Sequence, residues 1–407
     1  MPHSSIALVP DHPKHRAVAA RWDAASGTIS REASDCEALI VLRAMCPLAL
    51  AGPGALRPGW DGSLGYAHYG LHLPAGVATT RLRLAEPVTF EQPRHDPAPL
   101  AVSELTAWQE RRRGELARRL MGEGCNEEAP LHAQREGEQI VDGVLVERWS
   151  CETRPGRRCV FLLARPRVPT RRLLLAVHGH EAPWGEADPL AFAAGHNDSF
   201  CRAFVEAGWA VVQPATMDHG LYGAGWTLLG SWSWDARRCL AAAAELLGND
   251  PDCAVCGLSV GGQIALTALV LDPRLRAGVC AGSFSTWRHY HERMLIPPHC
   301  DCGVSALLSG WLDQADWLAL AAPRPVQLQH GRRDVCFAPD ADPVRLDPAW
   351  NRAVMPGAEF ATEVARARLA WAANGQSEAL AYHEHDGAHG VDEPAAVEWL
   401  EAALKEE

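Results

Sequence analysis

From about residue 150 onward, short apolar runs alternate with longer stretches whose apolar residues recur every three to four positions. The runs Val144–Cys151, Cys159–Arg165, Arg172–Val177, Trp209–Pro214, Ala277–Gly282, Val326–Gln329 and Ala379–His385 read as strands, and a further strand closes at Ala254–Cys256. The first two are joined by a turn at Arg154–Arg157. Helical periodicity falls around Ser199–Ala207, over Trp232–Leu247 and Gly261–Leu271, near Glu359–Ala373, and from Pro394 onward. Strands alternating with helices predict an α/β class, with a mostly parallel central sheet flanked by crossover helices.

The first hundred residues follow another pattern. Ala51–Gly70 is punctuated by Gly and Pro, and a period-2 run covers Thr80–Val88. This predicts an N-terminal extension of short strands and loops. The turn-rich stretch EQPRHDPAP then precedes a charged amphipathic helix expected over Ser103–Met121, capped by Ser103. The expected division is an accessory region, 1–100, of unassigned role, and a main domain, 101–407. Within the latter, the irregular Trp287–Leu312 reads as a lid-like insert after a strand.

Composition narrows the function classes. With 47% hydrophobic and 22% charged residues over 407 positions, a large core is available and disorder is excluded as the main state. A formal charge of −12 repels phosphate backbones, which argues against a nucleic-acid partner. No uninterrupted 18-residue apolar run predicts a membrane span. The start, MPHSSIALVPDHPKHR, lacks a basic segment followed by an apolar one, so no secretory signal is expected and the location is expected to be cytoplasmic. In that setting the 13 cysteines read mostly as reduced, buried small hydrophobes.

The strongest chemical signal is Gly257-Leu258-Ser259-Val260-Gly261, set between a strand-like and a helix-like run. A strand-to-helix turn this sharp strains the serine backbone and leaves no room for side chains two residues to either side. It holds the Ser259 hydroxyl at the carboxyl end of the sheet. The Val260 N–H opens the helix, where negative charge is favoured. An idle serine in a Gly-rich turn is the plainer alternative.

HGH at 178–180, GLSVGGQIAL at 257–266, DPRLRAGV at 272–279, APRPVQLQHGRRD at 322–334 and GAHG at 387–390 appear in this order. With them the chain resembles the α/β-hydrolase superfamily, and more narrowly its dienelactone-hydrolase and acetyl-xylan-esterase-like branch, over roughly residues 103–407. The resemblance implies a serine hydrolase of carbonyl substrates with chain order Ser, acid, His. Dienelactone hydrolases proper use a cysteine where this chain has Ser259.

A serine hydroxyl needs a base in hydrogen-bond reach, and the base needs an orienting carboxylate. With 18 histidines available, position decides. His389 lies between the last predicted strand and the last helix, where the Ser, acid, His order places the base. His383 and His385 sit on the strand and read as packing residues. Asp334, on the loop after Val326–Gln329, fits the acid; Asp340 and Asp342 compete but read as loop acids or caps. For the oxyanion hole the Val260 N–H is one donor, and the resemblance implies the His180 backbone as the other. The His178 and His180 side chains read as buttresses.

Weaker candidates surround this set. Trp184 walls an acyl pocket or is a surface residue. Asp218 and His219 touch substrate or hold their turn. Arg288, His289 and His291 approach substrate from the insert. His299-Cys300-x-Cys302 and Cys253-x-x-Cys256 match zinc spacing weakly, and no metal or other cofactor is expected.

Taken together, the sequence predicts a carboxylesterase-like enzyme acting on a small-molecule ester through an acyl-enzyme. The alternatives are a peptidase or amidase resembling prolyl-oligopeptidase catalytic domains, and a non-catalytic binding protein of the same fold. A homo-oligomer is left open.

Overall fold

A computed structural model of the chain describes residues 6–8, 20–23, 26–31, 38–44, 48–60, 67–84, 101–122, 125–179, 200–216, 227–248, 250–286, 312–334 and 356–405. Two compact units divide the chain: Met1–Glu91 with Arg288–Ala306, and Gln92–Trp287 with Leu307–Glu407.

The first unit contains β1 (Ile6–Leu8), β2 (Ala20–Asp23), β3 (Thr28–Arg31), β4 (Ala38–Ala44), β5 (Leu48–Leu50), β6 (Ala55–Trp60), β7 (Ala67–Leu73) and β8 (Thr79–Leu84). They form two four-stranded sheets, ordered β1-β4-β7-β6 and β2-β3-β8-β5. The short strands foreseen in this region are thus present; the period-2 run begins within β8, and its residues 85–88 lie outside the described residues. Ile29, Ile40, Leu71, Leu73 and Leu82 are buried. Buried Arg31 donates to the carbonyls of Val77 and Pro74, each at 2.8 Å.

The second unit opens with α1 (Val102–Met121). Its N-cap is Ala101, not Ser103; the Glu104 carboxylate reaches back to accept from the Ala101 N–H at 3.3 Å. The Glu104 carboxylate thus supplies the N3 half of a capping box, while Ala101 has no side chain to accept from the first turn. There follow β9 (Gln134–Val141), β10 (Val144–Arg154), β11 (Arg157–Ala164), β12 (Arg172–Val177), α2 (Phe200–Glu206), β13 (Ala210–Pro214), α3 (Leu228–Leu247), β14 (Asp252–Leu258), α4 (Val260–Leu271) and β15 (Leu275–Ala281). The chain closes with α5 (Gln314–Ala319), β16 (Val326–Gly331), α6 (Gly357–Ala373), β17 (Leu380–His385) and α7 (Glu393–Lys405).

Their nine strands make one sheet, ordered β17-β16-β15-β14-β12-β13-β11-β10-β9. β9, β10 and β11 form an antiparallel meander, and β11 pairs antiparallel with β13. Every pair from β13 through β12, β14, β15 and β16 to β17 is parallel. The central parallel strands β12, β14 and β15 are apolar on both faces, as a doubly covered sheet requires. On one face Leu174, Ala176, Ala254, Cys256, Ala277 and Val279 pack with Phe200 and Phe204 of α2 and Ala396 and Leu400 of α7. On the other, Gly278 faces Leu269 of α4.

β12 has β13 on one side and β14 on the other. At such a reversal of strand order the connections leave in opposite directions and open a crevice beyond the strands' carboxyl ends. The loops after β12 and β14 meet there. No described helix is long and apolar enough to cross a membrane.

Candidate active site

Ser259 joins β14 to α4 at φ 60° and ψ −128°, a conformation costly for a residue with a Cβ. Two hydrogen bonds fix it: its N–H donates to Ala281 O at 2.9 Å, and its carbonyl accepts from Gly262 N at 2.8 Å. The glycines do what the turn demands. A Cβ at Gly257 would sit on the carbonyl oxygen of Gly261, and one at Gly261 would sit on the carbonyl oxygens of Val177 and His178. Gly261 therefore lets the start of α4 approach the end of β12. The next loop residue after His178 is Gly179, where a Cβ would lie 3.3 Å from Cβ of Ser259. Val260 begins α4, so its N–H has no acceptor one turn earlier in the helix.

The loops after β16 and β17 carry the titratable groups. His389 Nδ1 lies 2.8 Å from Asp334 Oδ2. Asp334 is fully buried and the His389 side chain is 22% exposed. With a carboxylate at Nδ1, the proton belongs on that nitrogen and Nε2 is left as the acceptor. A second pair, His383 Nε2 to Asp392 Oδ2 at 2.8 Å, lies further along. Position separates them. Beside Gly282 stand the His389 ring and the Asp334 carboxylate, and the preceding carbonyl, of Ala281, holds the Ser259 amide. Asp392 instead serves α7, accepting from Ala395 N at 3.3 Å.

Main-chain bonds tie the two loops together. Arg332 N donates to His385 O at 2.8 Å and Arg333 N to Gly387 O at 3.0 Å. Gly331 has no room for a side chain, because its Cβ would meet the carbonyl oxygens of Gly387 and Ala388. His385 Nδ1 accepts from Gly387 N at 3.1 Å. Behind them, Gln329 grips both polar groups of the Asp392 backbone: Oε1 accepts from its N–H at 2.9 Å, and Nε2 donates to its carbonyl at 3.3 Å.

No family model matches the sequence, and no curated protein does. Solved structures do. The chain is similar to a glucuronoyl esterase from Teredinibacter turnerae at 16% identity, over 75% of this chain and 86% of that one, with a TM-score of 0.53. A glucuronoyl esterase from Solibacter usitatus is similar at 14% identity, over 78% and 100%, with a TM-score of 0.55. A Bacteroides fragilis protein assigned as an acetyl xylan esterase is similar at 17% identity, over 72% and 79%, with a TM-score of 0.53. The chain has the α/β-hydrolase fold. In an α/β hydrolase the crevice beyond the parallel strands is where loops carry chemistry, and Ser259, Asp334 and His389 all stand at that end.

Among the residues expected from sequence, the hydrolase fold brings Asp334 and His389 into contact and sets Ser259 and Val260 on the neighbouring elbow. His178 is buried, with Nδ1 2.7 Å from Gly179 O, as a buttress would be. His180, Trp184, Asp218, His219, Arg288, His289 and His291 lie outside the described residues, as do Asp340, Asp342, His299, Cys300 and Cys302. So does the expected insert up to residue 311. Cys253 and Cys256 are buried free thiols, and burial pushes Cys253 up to about 12. Sequence reading passed over Gly282, Gln329 and the backbone ties of Arg332 and Arg333. The signal for Gly282 was its place: a glycine directly after a strand beside the nucleophile strand.

Proposed function

We propose that this protein is a serine hydrolase that cleaves carboxylic esters through an acyl-enzyme, with residues 101–407 as its catalytic domain and 1–100 as an accessory region. The observation that carries the proposal is the His389–Asp334 hydrogen bond, 2.8 Å long, seated at Gly282 next to the Ala281 carbonyl that accepts from the amide of Ser259, a serine held at φ 60°. Ser259 Oγ attacks the ester carbonyl and passes its proton to His389 Nε2. Asp334 holds the Nδ1–H tautomer and stabilises the imidazolium. The negative charge on the carbonyl oxygen is met by the Val260 N–H and, as the resemblance implies, by the His180 backbone. His389 then returns the proton to the leaving alkoxide. Water attacks the acyl-enzyme by the reverse route, releasing the acid and Ser259.

Glucuronoyl and acetyl xylan esterases of the same fold make esters of sugar acids and acetylated sugars the first substrates to try. Fold by itself does not choose between them. The test is a panel of both ester types, simple p-nitrophenyl esters and the matching anilides, run with wild type and Ser259→Ala. Loss of ester turnover by about 10³-fold or more in Ser259→Ala, with native circular dichroism, is expected. A fluorophosphonate should label the wild type and not the variant. Undiminished hydrolysis in Ser259→Ala would refute the proposal; preference for anilides would redirect it to amide bonds.

A further inference from the structure

We infer that Gly282 is a positioning residue whose missing side chain forms the seat of the Asp334–His389 pair. The inference rests on the serine-hydrolase reading and adds to it a residue outside the triad.

Gly282 follows β15 and is at φ +53°. It cannot slide along the sheet edge, because hydrogen bonds hold it on both sides. Its own N–H donates to Gln329 O of β16 at 2.8 Å, and the carbonyl of Ala281 before it accepts the Ser259 amide at 2.9 Å. A Cβ here would lie 2.8 Å from His389 Cε1, 2.9 Å from His389 Nδ1 and 3.1 Å from Asp334 Oδ2. Those three atoms include both ends of the hydrogen bond that orients the base. Even one methyl group would press on both partners at once.

Neither the Asp334 carboxylate nor the backbone of the His389 loop has a retreat. Asp334 is fully buried, and its own N–H donates to Gly331 O at 2.9 Å. The His389 loop is laced to residues 331–333 through the carbonyls of His385 and Gly387. The soft response to a side chain at 282 is therefore rotation of the imidazole about its own side-chain bonds, which breaks the Nδ1–Oδ2 alignment. Gly375 supplies the contrast. It is also at positive φ, +71°, but a Cβ there would meet nothing within 4 Å. Gly375 answers only to its backbone; Gly282 answers to backbone and site together.

The test compares Gly282→Ala, Gly375→Ala, Ser259→Ala and His389→Ala on one p-nitrophenyl ester. In Gly282→Ala, kcat should fall about 10²-fold while KM stays within threefold. The acid limb of its kcat/KM profile should move to lower pH, because an imidazolium that loses its carboxylate gives up its proton more readily. Gly375→Ala carries the same kind of backbone strain and should keep wild-type kcat and pH profile. Gly282→Asn supplies the same Cβ on a residue that tolerates positive φ, and should the alanine variant be recovered unfolded, the asparagine variant should show the same fall in kcat and the same move of the acid limb. Wild-type kcat, or an unmoved acid limb, in a folded Gly282 variant overturns the inference while leaving the triad intact. Loss of native circular dichroism in both Gly282 variants also overturns it, since the position is then structural. Retained turnover in Ser259→Ala or His389→Ala refutes the triad itself, and the seat with it.

Discussion

Asp334 concentrates the site's electrostatics in one side chain. It is fully buried, and a carboxylate taken out of water needs a partner to remain charged; His389 Nδ1 is that partner at 2.8 Å. Asp334→Asn keeps the size and removes the charge. It also offers an amide whose N–H can reverse the hydrogen bond and move the proton to Nε2, where it would block the proposed base action. The expected outcome is a kcat lower by roughly 10³–10⁴-fold with KM little changed, read by steady-state ester hydrolysis.

Among elements, β16 carries an unusual burden, since its next-to-last residue is a histidine and the loop after it carries Asp334. His330 is fully buried, with its ring 5.2 Å from that of Phe360 and 5.9 Å from that of Tyr382. Burial pushes its pKa down to about 4; Asp334 opposes that shift, while His389 and His385 add to it. The folded state therefore refuses a proton that the unfolded chain accepts below about pH 6.5. Stability from this residue is complete above pH 6.5 and is lost as pH falls toward 4. Between pH 7 and pH 4.5 the loss should be about 2–3 kcal/mol. Urea unfolding at the two pH values should show that loss in wild type and a smaller one in His330→Gln.

The same scale explains what could be read from the sequence. Parallel strands such as β12 and β14 were legible because both of their faces are apolar, and the elbow because steric need fixes its glycines. β9 was missed: as an edge strand with seven exposed residues of eight, QREGEQIV carries neither an apolar run nor an alternation. α5, only six residues long, shows too little periodicity to stand out. Asp334 and His389 were singled out through their places in chain order, and the structure puts the two in contact. Gly282 and Gln329 were not, because their roles come from contacts between loops far apart in the chain. The α1 N-cap was placed at Ser103 rather than Ala101 because alanine has no capping side chain to signal the start of a helix.

Over the whole sheet, the two ends of the parallel strands do different work. The carboxyl ends carry the candidate site. At the opposite end, buried Asp272 closes α4, accepting from Arg274 N at 3.0 Å, Arg274 Nε at 2.9 Å and Arg237 Nε at 3.4 Å. Arg237 also pairs with Glu127, and Arg324 donates to the Asp272 carbonyl at 3.0 Å. These ties join α1's following loop, α3, α4 and the approach to β16. Despite the cost of burial, the Asp272 carboxyl is held below its usual range by Arg274 and Arg237. Asp272→Asn leaves the buried Arg237 undercompensated and should cost about 3 kcal/mol in urea unfolding. The 12 residues of α4 put Ser259 roughly 18 Å away, so kcat at a temperature where the variant is folded should not change.

The lacing of the β16 and β17 loops has one more consequence. None of its main-chain bonds passes through residue 259, so the strap that carries the proposed base is built without the serine. Under the proposed mechanism, replacing Ser259 by glycine removes Cβ and Oγ together, empties a space two heavy atoms long and leaves the proton acceptor on its strap. A Ser259→Gly chain would then keep a poised base awaiting an outside nucleophile, and a small alcohol such as methanol is the kind of molecule that would fit the opening.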